Sequence, residues 1–316
     1  MFDEEIKHKM ILLNNKLKER DSLKPSKEEL RGKLSEIGDF LNISKLNHSE
    51  IANISNSKGI LGVDGSFVIL GETYPNVLFF AQAVAKCTIN SKNSIKEIEV
   101  LSGVFNNSEE TEEGGIISEY GKKMAEMEVA VAIEGIEIFK PFTVFMDGGF
   151  WRLAKNSSPK CKELWKELSE ICINEHIFLT GIIESIGSYD LSTLLELRTI
   201  FPDKDLLFGL LDIGEVYILK NPYKGGFLKV FARLSRDPMP IACDFLPEQK
   251  DNIIYMLRLI YSLTPIGERG VPLWIDIVDN EAKITREMAY ALLDAYIDPV
   301  LKEKIFIDKR NKRFLF

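Results

Sequence analysis

Residues 59–70 read GILGVDGSFVIL, and this segment constrains the fold more than any other. In an extended chain, side chains alternate between faces. Leu61, Val63, Phe67 and Ile69 then share one face, and Ile60, Val68 and Leu70 share the other. A strand apolar on both faces is a central strand covered on both sides. Asp64 sits in its middle, with Gly62 and Ser66 on the same face. A lone buried carboxylate is destabilising unless it is paired, protonated or bound to a cation. Asp-Gly is also a hairpin dipeptide, although FVIL continues the strand directly after it.

A second acid repeats the pattern. Asp147 ends the apolar run FTVFMD and is followed by Gly148 and Gly149. Carboxylates at strand C-termini line the active crevice of open α/β sheets, and an Asp in this place can also start a turn with its own side chain. Taken together, two Asp-Gly sites on apolar strands suggest neighbouring strands holding two carboxylates side by side. Like charges at that range raise each other's pKa. A hard divalent cation, Mg²⁺ or Mn²⁺, relieves the repulsion. Glu128 is a candidate third ligand, because it shares a helical face with Met124, Val131, Gly135 and Ile138. Glu126 and Glu119 compete with it. Asp279, after PLWIDIV, is a candidate fourth acid, with Asp276 as its rival.

The rest of the chain supplies the frame. Phe2, Ile6, Met10, Leu13 and Leu17 mark a helix over 2–20, and Leu30, Leu34, Ile37 and Leu41 mark another over 26–41. Ser26 and Glu29 form a capping-box signature at its start. Residues 1–45 are thus expected to form a helical hairpin serving assembly or a dimer contact, and 46–316 the main domain. Further strands are expected at 77–89 and 96–101, followed by an exposed loop at 103–115 and a long helix over 118–138. Beyond the strand that ends at Asp147, helices are read at 159–174, 190–199, 247–262 and 285–298, and strands at 177–183, 206–219, 227–234 and 240–244. The alternation indicates an α/β layered domain. Its opening order of three strands, a helix and a strand is ribonuclease H-like.

Composition removes several alternatives. Hydrophobic residues make up 45% of the 316 and charged residues 28%, enough for a buried core. There is no apolar run of the length (about 18 residues) that a membrane span needs, and no secretory signal pattern at the N-terminus, so a cytoplasmic location is expected. Cys87, Cys161, Cys172 and Cys243 form no C-x-x-C pair, and His8, His48 and His176 are scattered, so any metal chemistry must rest on carboxylates. A net charge of −8 argues weakly against a nucleic-acid partner, but charge is clustered. Glu109, Glu110, Glu112 and Glu113 form one cluster. Residues 302–316 carry six basic side chains against Glu303 and Asp308, either a solvated terminus or an interaction tail.

With these residues in place, the sequence resembles the NurA family of DNA repair nucleases. The resemblance runs from about residue 60 to 290. It is carried by GVDGSF at 62–67, the helix around Glu128, VFMDGG at 144–149, LTGIIES at 179–185, Gly214-Glu215, KVFARL at 229–234 and VPLWIDIVDNEAKIT at 271–285. The resemblance implies a ribonuclease H-type, Mn²⁺-dependent deoxyribonuclease, with 5′-to-3′ exonuclease and single-strand endonuclease activity. It further implies a homodimer working with HerA, a hexameric DNA translocase, in end resection at double-strand breaks. The family's metal ligands fall on Asp64, Glu128 and Asp147, with Asp279 where His is frequent. Two other departures are Glu184 for a common lysine and Phe231 for a common tyrosine.

On this reading two metal ions flank the scissile phosphate. Arg152, Arg233 and Arg236 are candidate DNA contacts, since Arg suits bidentate phosphate binding. Lys155 could guide the strand, and Phe150 and Trp151 either stack on bases or pack in the core. A first rival is a non-catalytic ribonuclease H-like subunit that binds DNA or anchors the translocase. A second is an actin- or sugar-kinase-like ATPase, whose phosphate-binding hairpin would have to be DIGEV at 212–216.

Overall fold

The computed structural model describes residues 4–71, 76–89, 91–103, 113–222 and 224–305. The chain starts with α1 (Glu4–Asp21) and α2 (Lys27–Ile37), forms strand β1 (Gly38–Asn42) and returns through α3 (His48–Ser57). The strands β2 (Ile60–Leu70), β3 (Leu78–Cys87) and β4 (Ser94–Ser102) follow, and then the long α4 (Glu113–Phe139). Next come β5 (Thr143–Asp147), α5 (Phe150–Ala154), α6 (Pro159–Asn174) and β6 (Phe178–Ile183). After α7 (Asp190–Leu194) and α8 (Asp203–Leu207), the strands β7 (Glu215–Leu219), β8 (Leu228–Arg233) and β9 (Ile241–Phe245) are laid down. Helices α9 (Ile253–Leu263), α10 (Leu273–Ala282), α11 (Arg286–Tyr296) and α12 (Pro299–Ile305) complete the described chain.

The strands form one sheet of nine in the order β1-β7-β8-β9-β6-β5-β2-β3-β4. Strands β2, β3 and β4 form an antiparallel meander, and β5 and β6 run parallel to β2. This is the ribonuclease H-like order expected from the sequence, extended by β9, β8, β7 and β1. As the two-faced apolar pattern of 59–70 required, β2 is covered on both sides. Helices α4 and α6 close one face, where Leu61, Val63 and Met146 join Met127, Val131 and Leu168. Helices α9 and α10 close the other, where Ile60, Phe145 and Ile182 meet Leu257, Ile260 and Ile275.

Two glycines set how closely those helices approach. A Cβ on Gly62 would lie 2.8 Å from Val278 Cγ2 of α10, and one on Gly65 would lie 2.9 Å from the Glu128 carboxylate of α4. The strand around Asp64 is therefore gripped from both faces, at positions where any side chain would force the helices apart.

Several expectations shift in the structure. The helix expected over 26–41 ends at Ile37, and 38–42 pairs antiparallel with β7, from Gly38 opposite Leu219 to Asn42 opposite Glu215. The open edge of β7 offers backbone partners that override the helical period of Ile37 and Leu41. The strand expected over 206–219 is confined to 215–219, because the end of α8 occupies 206–207 and Gly209 and Gly214 take positive φ between them. Residues 247–252 form a 3₁₀ turn ahead of α9, and 190–199 is helical only to Leu194. The segment carrying Asp276 and Asp279 is itself a helix, α10. Helix α4 starts at residue 113, inside the expected loop, most of which lies outside the described residues.

Helix α2 buries Leu30 and Leu34 against Leu206, Leu207, Tyr217 and Phe231. Helix α1 buries nothing: Ile6, Met10, Leu13 and Leu17 are all exposed. All four cysteines are buried. Among the described residues, no helix is long and apolar enough to cross a membrane. Of the basic tail, Lys302 and Lys304 lie on α12, and residues 306–316 fall outside the described chain.

Candidate active site

The parallel pairing of β2 with β5 sets Val63 opposite Met146, so the next residues, Asp64 and Asp147, stand beside each other. Their carboxyl groups are near enough to act on each other electrostatically, and the Gly65 N–H donates to Asp64 Oδ1 at 2.7 Å. Asp64 is only 6% exposed. Burial, reinforced by the charges of Asp147 and Glu128, pushes its carboxyl up to about 8. Burial also pushes Asp147 up, against the opposing pull of Arg152.

Glu128 reaches the site from α4, over Gly65, and is almost fully buried. It forms an ion pair with Arg152 Nη2, yet burial still holds its carboxyl above the ordinary range. Arg152 also donates to the Asp147 backbone carbonyl at 3.4 Å, so this one side chain ties Glu128 to the end of β5. Asp279 lies on the opposite face, exposed on α10, and its charge adds to the field on both Asp64 and Asp147.

The structure therefore gathers Asp64, Asp147 and Glu128, with Asp279 at the rim. The rivals are directed elsewhere. Glu126 accepts from the Ser158 hydroxyl at the head of α6, Glu119 is exposed, and Asp276 pairs with Arg269. Among the described residues no three acidic, His or Cys side chains form a ready-made ligand cage. Glu128 is instead paired with Arg152. The donor set itself suits a hard divalent cation: carboxylate oxygens, clustered and largely desolvated, whose mutual repulsion a 2+ charge would remove.

The remaining candidates divide. Arg233 does not offer its guanidinium for a phosphate: it donates to the carbonyls of Asp237 at 2.9 Å, Leu211 at 2.9 Å and Arg236 at 3.1 Å, and so staples two turns together. Arg236 and Lys155 are exposed. Phe150 is a core residue packed on Trp165 and Phe227, whereas Trp151 is 43% exposed beside it. The DIGEV turn is not a phosphate hairpin. Glu215 accepts from the Asp212 N–H at 2.9 Å and pairs with Arg31 at 2.5 and 3.0 Å, filling the turn with its own carboxylate.

Two residues of the site escaped the sequence reading. Asp244 of β9 is buried, accepts from the Phe150 N–H at 3.0 Å and pairs with Lys229 at 3.1 Å. It thereby anchors the turn that follows Asp147. Its signal was the one that exposed Asp64, an acid inside the apolar run IACDF. The other is Arg269, which links Glu184 to Asp276 and had no local signal.

Fold and family together support a nuclease, a phosphodiester hydrolase on a ribonuclease H-like scaffold. The model of the NurA domain matches residues 58–284, and the chain belongs to the NurA family. Among solved structures, it is similar to a crystal structure of NurA at 11% identity and TM-score 0.53, covering 95% of this chain and 99% of that one. It is also similar to endonuclease V of Bacillus subtilis (13% identity, TM-score 0.41, covering 83% and 91%) and of Ciona intestinalis (12% identity, TM-score 0.38, covering 88% and 98%). No curated protein matches the chain in sequence.

Proposed function

We propose that this chain is a divalent-metal-dependent deoxyribonuclease whose site is Asp64, Asp147 and Glu128, with Asp279 completing it. The observation that carries the reading is the pair Asp64–Asp147, set side by side on adjacent parallel strands and largely withdrawn from solvent. These acids would hold Mn²⁺ or Mg²⁺, two ions when fully loaded. When bound, the metal supplies activation of water as a nucleophile and charge stabilisation of the leaving oxygen.

The chain's own residues do the positioning. The β2–β5 register holds the two aspartates at fixed spacing, and Gly65 fixes the Asp64 carboxyl with its N–H. Arg152 keeps Glu128 turned inward, and its guanidinium would be available to a phosphate where Glu128 served a metal instead. Asp244 and Lys229 keep the Gly148–Gly149 turn from moving, so that Asp147 and Arg152 stay in mutual range.

As the sequence resemblance implies, we assign 5′-to-3′ exonuclease and single-strand endonuclease activity on DNA, in end resection with a HerA-type translocase, by a cytoplasmic homodimer. The acidic net charge fits a substrate delivered by a partner, because it opposes unaided association with a polyanion. The test is degradation of an end-labelled oligonucleotide with and without Mn²⁺. Cleavage lost in EDTA and in Asp64→Ala supports the reading. No cleavage by the unaltered protein, alone and with its translocase, leaves the non-catalytic subunit in its place.

A further inference from the structure

Arg269 stands between the segment that follows β6, the neighbour of β5, and helix α10, which carries Asp279. Its Nη1 donates to both oxygens of Glu184, at 2.9 and 2.8 Å, and its Nη2 donates to Asp276. Glu184 follows β6 directly, two residues past Ile182, the register partner of Asp147. Its charge adds to burial in pushing the Asp147 carboxyl up. Asp276 lies three residues before Asp279 on α10, one helical turn away. The Arg269 guanidinium therefore sits at the mouth of the acid cluster, on the α10 side, while Arg152 answers Glu128 from the α4 side.

The two arginines differ in how firmly they are held. Arg152 is paired with a buried carboxylate. Arg269 is 53% exposed and Glu184 is 38% exposed. Exposed pairs are worth on the order of 0–1 kcal/mol, so one anion readily replaces another. A guanidinium presents a planar fork that matches a phosphate. Beside it opens a cleft of about 420 Å³, with Ser185, Lys204, Met239 and Pro240 in its walls together with Asp237, whose carboxylate accepts from the Met239 N–H. That volume falls in the range of small-ligand pockets, roughly 300–1,000 Å³. Lys204 adds a second cation, and Met239 and Pro240 an apolar wall against which a base can lie.

We propose that Arg269 receives the phosphate next to the cleaved bond and that the adjoining cleft holds the attached nucleotide. The inference rests on the nuclease reading above. Glu184 and Asp276 serve as holding partners that keep the guanidinium aimed at the site until a phosphate displaces one of them.

The test is binding of a fluorescein-labelled single-stranded oligo(dT), followed by anisotropy in EDTA over a range of NaCl concentrations. Arg269→Gln is expected to weaken binding about five-fold or more and to lower the slope of log K against log salt by roughly 0.7, the loss of one phosphate contact. Arg269→Lys keeps the slope and loses part of the affinity. Glu184→Gln, which releases the guanidinium, tightens binding, and the same change in an Arg269→Gln background loses that gain. Wild-type affinity and slope in Arg269→Gln, an equal gain from Glu184→Gln in both backgrounds, or no binding by the unaltered protein overturns the proposal. Thermal melts confirm that each variant is folded. With metal absent throughout, the outcome is independent of the Mn²⁺-dependent cleavage that tests the nuclease reading.

Discussion

Asp244 of β9 accepts a hydrogen bond from the Phe150 backbone N–H, 3.0 Å away, and so ties the turn after Asp147 across β6 to the next strand. Because Asp244 is buried and paired with Lys229, removing it strands a largely buried ammonium. Asp244→Ala is expected to destabilise the protein by about 3 kcal/mol, the usual effect of breaking one side of a buried pair. Urea denaturation measures this, and a loss below about 1 kcal/mol, the level of a surface pair, would show that the anchor is dispensable.

Metal binding to the acids should stabilise the folded chain by mass action. Millimolar Mn²⁺ is expected to raise Tm by several degrees in the unaltered protein and to leave Asp64→Asn and Asp147→Asn nearly unmoved. Differential scanning fluorimetry reads the shift. Equal shifts in all three proteins would place the ion elsewhere.

The Arg31–Glu215 pair carries a pH signature. Burial pushes the Glu215 carboxyl up, but hydrogen bonds from Arg31 and the Asp212 N–H, with the Arg31 charge, outweigh it and hold the carboxyl below the ordinary range. A depressed carboxylate stabilises the fold fully above its unfolded pKa of about 4.3, and that contribution is lost as pH falls through the lower folded value. The unaltered protein should therefore lose stability more steeply than Glu215→Gln as pH drops below about 4.3. Parallel Tm curves for the two proteins over that range would contradict the assignment.

Helix α1 buries no side chain, while Ile6, Met10, Leu13 and Leu17 are exposed along it. Deleting residues 1–16 is expected to change Tm by less than about 2 °C, since surface changes lie within about 0.5 kcal/mol. If the helix serves assembly, as expected for residues 1–45 from the sequence, the truncated chain should also run at a smaller mass in light scattering. A large drop in Tm, or an unchanged mass, would remove α1 from the assembly role.

The site was legible in the sequence wherever burial and charge conflict within one short segment. Asp64 and Asp147 each interrupt an apolar strand, and that conflict is visible without knowing the neighbours. Asp244 carries the same mark inside IACDF but was read only as part of a short strand. Glu128 and Asp279 could be ranked by helical phase and segment position alone, because their facing partners come from distant parts of the chain. Arg269 was invisible, since an exposed arginine in a loop has no local conflict to betray it. The fold followed the same division. The strands at 59–70 and 177–183 declared themselves by apolar content, whereas β1 was read as helix because its only reason to extend is the edge of β7, far away in sequence.

The four native thiols are sealed inside the packed layers, and burial pushes the Cys172 thiol up to about 12 and Cys243 higher still. Alkylating and disulfide-forming reagents act on thiolates that solvent can reach, so the natural chain should be silent to them at neutral pH. A single cysteine placed at Lys155 or Arg236, both exposed, would then be the sole reactive handle. A tethered dye or a thiol-bearing oligonucleotide could be installed there without first stripping the natural cysteines from the protein.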